Sequence, residues 1–368
     1  MSPVRRQFLL LCLTGAMLLA LVPTPAAAQI VVKGGEDVTF KFGIQGQLWA
    51  DWTQDNTGAQ NYQQNFYLRR ARLIMGGDIG ENISFFFETD DPKLGITPKN
   101  LASGFLIQDL LLTWKPVAKS KAFMLDGGLI FVPFSRNGLQ STLSYYGLDV
   151  SPIATVTNSV TQSSALRDLG FEGRGYLFND KFQYRLGAFS GERDSNAHNS
   201  LRTAGYFQYD FFSPETGYLF TGTALGKQKI LAVDAGFDKQ GAYAGQSANI
   251  AMDIPVNKGD EVGGQFQFAH YNGGTKFLTI PNQNGYLLEA DYYVHQARVQ
   301  PFFKYEAQTY SDAVNYSKDI NRAGFGANYY FRGQNLKWTL QYLRAMPQNS
   351  ATLKPTNELS VQLQLMYW

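Results

Sequence analysis

The 368-residue chain is 44% hydrophobic, 14% aromatic and 17% charged, with 36 Gly, 21 Tyr and one Cys. So few charges, against roughly 25% in soluble domains, together with so much Tyr, Phe, Gly, Gln and Asn, favour short strands and turns and argue against a helical cytoplasmic enzyme, a disordered chain or a disulfide scaffold. Arg5 and Arg6 fall within residues 1–28, and removing those residues leaves 30 bases against 30 acids, which excludes a basic surface built to attract nucleic acid or anionic lipid.

Residues 1–28 read as a secretory signal. Arg5 and Arg6 give a positive start, Phe8 to Val22 is an apolar run, and Ala26, Ala27 and Ala28 supply small residues for cleavage before Gln29. The run is too short for a membrane-spanning helix, and Pro23 and Pro25 end it. Cys12 lies inside this segment, so residues 29–368 are expected to carry no thiol chemistry, disulfide or Cys-ligated metal.

From Thr39 onward the hydrophobic pattern has period two, the signature of strands with one apolar and one polar face. Phe40, Phe42, Ile44, Leu48 and Trp52 alternate with Lys41, Gln45, Gln47 and Asp51; Leu359, Val361, Leu363, Leu365 and Tyr367 alternate with Glu358, Ser360, Gln362 and Gln364. Marking every such run predicts about sixteen strands, at roughly 39–53, 64–78, 82–91, 104–116, 121–132, 167–178, 181–191, 201–212, 226–238, 247–255, 260–271, 284–294, 297–310, 319–332, 335–346 and 356–368. Each is near the ten or so residues a tilted strand needs to cross a bilayer core. Short turns such as Gly80-Glu81 and Asn179-Asp180 alternate with longer polar segments such as 54–63, 92–103, 192–200, 272–283 and 347–355, the rhythm of outer-membrane barrels. Segment 213–225 breaks the rhythm, being long where a short turn is due. Aromatics at run ends (Trp49, Trp52, Tyr67, Trp114, Tyr292, Tyr329, Trp338, Tyr367, Trp368) fit membrane-interface girdles and equally fit ordinary sheet packing. A secreted β-rich carbohydrate-binding protein using exposed Tyr and Trp is the alternative reading.

Three stretches carry a family resemblance: Phe66 to Leu73 running on through Gly76-Gly77-Asp78 to Phe85–Asp90; Gly127 to Arg136; and Leu166 to Phe171 with Tyr184 to Gly191. In residues, order and spacing they resemble the phosphate-selective porin O/P family. The resemblance covers about the whole chain after residue 28 and is strongest across 40–191. It implies an all-β, sixteen-stranded transmembrane barrel, a homotrimer in the outer membrane reached through the periplasm. Its third external loop, about 133–166 here, folds inward across a water-filled channel for small hydrophilic solutes, with phosphate or other anions as preferred cargo. Tyr145, Tyr146, Leu148, Pro152, Ile153 and Val156 make that segment too apolar to remain in water, and a structureless stretch of this length is usually functional or disordered. It departs from a phosphate-selective constriction in holding one base, Arg136, no Lys, and Asp149 against it.

Taking the polar parity of each strand as lumenal, the basic wall residues are Lys41, Arg70, Arg72, Arg174, Arg185, Arg202, Arg298, Lys304 and Arg322. With Arg136 in the loop, the candidate anion path is Arg70, Arg72, Arg136, Arg174, Arg185, Arg202 and Lys304, since a planar guanidinium binds phosphate or carboxylate oxygens bidentately. In the competing reading, these arginines pair with Glu88, Asp168 or Glu172 and brace the wall. A bulge at Arg69-Arg70 would change which of the two faces inward. His198, His270 and His295 match no hydrolase or zinc spacing, so no enzyme activity, cofactor or metal is expected.

Overall fold

The computed structural model describes residues 30–368 apart from 36, 57, 58, 97, 164, 195, 197 and 199; the signal expected at 1–28 lies outside the described residues. Strands β2 to β17 form one antiparallel meander: β2 (Val38–Gln54), β3 (Tyr62–Ile79), β4 (Ile83–Asp90), β5 (Leu106–Trp114), β6 (Met124–Phe131), β7 (Arg167–Leu177), β8 (Phe182–Phe189), β9 (Arg202–Asp210), β10 (Ile230–Gln240), β11 (Tyr243–Pro255), β12 (Glu261–Asn272), β13 (Gln283–Tyr293), β14 (Val299–Tyr310), β15 (Ile320–Tyr330), β16 (Leu336–Pro347) and β17 (Thr356–Tyr367). β17 pairs with β2 from Glu358↔Thr53 to Tyr367↔Ile44, which closes the barrel and abolishes sheet edges. A short extra strand, β1 (Ile30–Lys33), continues along β2 where β17 stops, from Ile30↔Phe42 to Lys33↔Thr39. The sixteen expected strands are therefore all present, with one supplementary strand the alternation was too short to reveal.

The two parities of each strand face opposite environments. In β2, Gln45, Gln47 and Asp51 are buried while Phe42, Ile44 and Leu48 are exposed; in β13, Glu289 and Asp291 are buried while Leu288 and Tyr292 are exposed. Leu112, Phe171, Phe266, Phe303, Phe325, Leu340 and Leu365 continue the outer apolar belt around the barrel. A water-soluble sandwich buries its apolar parity; a closed sheet that buries the polar one and exposes the apolar one is stable only with hydrocarbon outside. Among the aromatics weighed as girdle residues, Trp114, Tyr292 and Tyr329 stand on the outer face. Trp49 and Tyr67 point the other way: their rings, 5.9 Å apart, pack inside with Leu148, and the Trp49 Nε1–H donates to Gln362 (2.7 Å).

One connection differs from the sequence expectation and another bears it out. The expected loop between 238 and 247 is a two-residue hairpin, Gly241-Ala242, closed by Gln240↔Tyr243, with Gly241 at φ +57° supplying the left-handed conformation such a turn requires. Segment 213–225 is indeed long, since β9 ends at Asp210 and β10 begins at Ile230, and it emerges at the barrel end that carries the short turns.

Candidate functional site

The β6–β7 connection is held by strands all around the barrel. Gln45 and Gln47 of β2 donate to the Thr142 hydroxyl (3.0 Å) and carbonyl (3.2 Å), and Gln364 of β17 donates to the Leu143 carbonyl (3.1 Å). Asn328 of β15 donates to the Tyr146 carbonyl (2.9 Å), the Leu148 N–H donates to Gln341 of β16 (3.1 Å), and Tyr271 of β12 donates to the Ile153 carbonyl (2.5 Å). Every one of these partners lies on the buried, polar parity. The apolar residues Tyr145, Tyr146, Leu148 and Ile153 are buried, as hydrophobic transfer requires of a segment so composed.

The anchor of this segment is Asp149. Arg69 reaches its Oδ2 from Nη2 (2.5 Å) and Nε (2.9 Å), and Arg70 reaches its Oδ1 (2.6 Å). Both arginines can do so because β3 carries a bulge: Gln47 pairs with Arg70 but Leu48 with Leu68, leaving Arg69 as the extra residue. Consecutive residues of a regular strand would point to opposite faces; the bulge turns both guanidiniums inward. Burial raises the Asp149 carboxyl, but Arg70 and Arg69 outweigh it and hold the group well below the usual carboxylate range.

Segment 211–229, entering from the other end, meets the first segment edge to edge. The Ser141 N–H donates to the Phe220 carbonyl and the Phe220 N–H to the Leu139 carbonyl, both 2.9 Å, forming a parallel bridge between Gln140 and Phe220. Gly222 is required there: a Cβ would sit 2.0 Å from the Ser144 carbonyl oxygen. Arg136, 1% exposed, donates to both oxygens of Glu215 (2.7 and 2.9 Å) and stacks on Phe220, its centre 4.9 Å from the ring centroid. Burial alone would lower this guanidinium's pKa, but Glu215 overrides burial and raises it, so the pair stays ionised.

The candidate path residues are brought inward but are almost all paired. Arg72 bridges Glu88 (2.9 Å) and Asp90 (3.0 Å), Arg174 binds Asp126 (2.5 Å), Arg202 binds Asp238 (2.6 Å) and Asp168 (3.5 Å), and Lys304 lies 3.1 Å from Glu306 and 3.8 Å from Glu289. Among the described residues Arg185 forms no ion pair; it donates to the Tyr218 carbonyl (2.7 Å) beneath segment 211–229. Arg298 lies in the β13–β14 turn rather than on the wall, at φ +55°, because the strand begins one residue later. Sequence reading weighed a bulge at Arg69-Arg70 but expected only one of the two to face inward, whereas both do; it did not single out Glu215 or Arg167, the last of which binds Asp109 (2.7 Å) over the Phe131 ring. Two adjacent arginines in an alternating strand were the available sign of Arg69; nothing in the pattern joins Glu215 to Arg136, 79 positions earlier.

Residues 42–215 match the family model of phosphate-selective porins O and P. Solved structures agree on the fold. Pseudomonas putida OprB aligns with TM-score 0.63 at 8% identity, covering 90% of this chain and 94% of OprB. Salmonella typhi OmpF, solved with daunomycin, aligns at 0.59 and 12%, covering 92% and 100%; the outer-membrane channel DcaP of Acinetobacter baumannii aligns at 0.56 and 11%, covering 91% and 99%. A comparison with curated proteins found no match. The fold is that of outer-membrane porins and the family match is to porins, and together these support a channel for small solutes.

Proposed function

We propose that this porin passes small hydrophilic solutes by passive diffusion without an anion ladder, and that segment 133–166, with 211–229 against it, lies across the lumen and sets the width of the passage. The observation that carries this reading is the pairing of Arg72, Arg136, Arg174, Arg202 and Lys304 with carboxylates. A free anion would have to displace a tethered carboxylate from a charge-assisted contact, and stripping one partner from a buried pair costs about 3–5 kcal/mol. A guanidinium so engaged braces the wall.

Phosphate preference is the second reading, favoured by one site: Arg69 and Arg70 share the single carboxylate of Asp149, which leaves one positive charge in excess. Assembly as a homotrimer rests on the family resemblance, and export through the periplasm on the sequence of residues 1–28. Reconstitution in a planar bilayer tests the proposal. Discrete conductance steps without phosphate block, in the parent protein and after replacement of Arg70, Arg72 and Arg136 by Ala, support it. Conductance blocked by phosphate and relieved by those replacements supports the second reading, and absence of conductance refutes both.

A further inference from the structure

On the wall opposite the arginines, three strands place two carboxylates around a gap. Asp253 of β11 is in register with Gly263 of β12, and Gly263 with Asp291 of β13, so the two acids flank a residue with no side chain on the same buried parity. A Cβ on Gly263 would lie 2.2 Å from Asp291 Oδ1, 2.8 Å from Asp253 Oδ1 and 2.9 Å from the Tyr146 hydroxyl. The glycine is what lets these oxygens converge. It also fixes the two carboxylate oxygens within about 5 Å of each other, a span that one calcium ion, bound at about 2.3–2.6 Å from each oxygen, bridges.

The surroundings leave this charge uncompensated. Asp253 and Asp291 are 2% and 8% exposed. Tyr146 donates to Asp253 Oδ1 (3.0 Å), and Gln300 donates to Asp291 Oδ2 (2.5 Å). Asp291 Oδ1 accepts no hydrogen bond, and neither acid forms an ion pair among the described residues. Glu261, two residues before Gly263 and engaged by Thr223 Oγ1 (2.7 Å) and the Gly226 N–H (2.8 Å), adds a third negative charge on the same face. Two carboxylates this close repel unless a proton or a cation relieves them, and an all-oxygen set without His or Cys selects a hard ion over zinc or copper.

We propose that Asp253 Oδ1, Asp291 Oδ1 and the Tyr146 hydroxyl form a binding site for a hard divalent cation, calcium being the test ion. The site joins the segment carrying Tyr146 to the wall through the ion, so its occupancy would fix that segment. It does not depend on whether the channel prefers anions.

The test is equilibrium dialysis of the detergent-solubilised full chain with radioactive calcium, run in parallel with potassium chloride conductance in a planar bilayer with and without calcium. The site predicts one more bound calcium per chain in the parent protein than in Asp291→Asn. Gly263→Ala keeps both charges but places a methyl among the oxygens, and it too should lose that equivalent. The calcium concentration that half-reduces the potassium current should rise about tenfold in either variant, as a ligand is lost in Asp291→Asn and the space for the ion in Gly263→Ala. Equal calcium stoichiometry in all three folded proteins would overturn the site, while their calcium-free conductance would leave the channel reading standing. Loss in Asp291→Asn but not in Gly263→Ala would also overturn it, by showing that diffuse charge rather than the cleared geometry binds the ion.

Discussion

Replacing Asp149 by Asn removes the carboxylate that Arg69 and Arg70 share, and its effect on ion preference can be worked from the geometry. The carboxylate lies 2.5 and 2.6 Å from the two guanidiniums, and its side chain is 28% exposed, so the uncovered charge acts through water rather than through a dry interior. A unit charge about 6 Å from a passing monovalent ion contributes about 0.7 kcal/mol at the dielectric constant of water, which screening at about 0.1 M salt reduces to about 0.4 kcal/mol. The term favours chloride and opposes potassium, so the chloride-to-potassium permeability ratio should rise about fourfold. Zero-current potential of the variant under a potassium chloride gradient reads this directly, and the shift should shrink as salt is raised. An unchanged ratio, or a move toward potassium, would show that Asp149 does not border the conducting path and would refute its placement at the constriction.

Other expectations follow from the same contacts. Glu215→Gln strands Arg136 in a buried position and should destabilise the barrel by about 3–5 kcal/mol, seen as a lower temperature for the folded-to-unfolded mobility shift in electrophoresis. Gly222→Ala forces a methyl against the Ser144 carbonyl, which should part the two inner segments and raise single-channel conductance without altering far-ultraviolet circular dichroism. Because Asp149 is held below its unfolded range, its contribution is fully present above an unfolded pKa of about 3.9 and is lost only as pH falls through the lower folded value. Current noise from loosening of the segment should therefore be absent at pH 4 and above and appear only in stronger acid.

Strand count, parity and the length of segment 213–225 were legible in the sequence because each depends on a local pattern: period-two alternation puts Gln45 and Phe42 on opposite faces whatever the rest of the chain does. The hairpin at Gly241 was hidden because Ala242 to Ser247, Tyr243 apart, is small or polar and weakly patterned, and residues that do not alternate read as loop. The inward position of the basic residues was also legible, but not their state. Arg72 meets Glu88 and Asp90 across a neighbouring strand, and Arg136 meets Glu215 across two separate insertions; such pairings are set by register and by long-range packing, which leave no periodic trace. The bulge at Arg69 lies between these cases, since two adjacent arginines announce an irregularity without saying where the extra residue falls.

The account rests most heavily on a wall whose guanidiniums, Arg185 and the excess charge at Arg69 and Arg70 apart, are already neutralised, and zero-current potential of the parent protein under a tenfold potassium chloride gradient, with and without added phosphate, tests it most directly. It predicts a conducting channel with no anion preference and no phosphate block. Strong chloride selectivity with current suppressed by phosphate would contradict it and return Arg70, Arg72 and Arg136 to the role of an anion path.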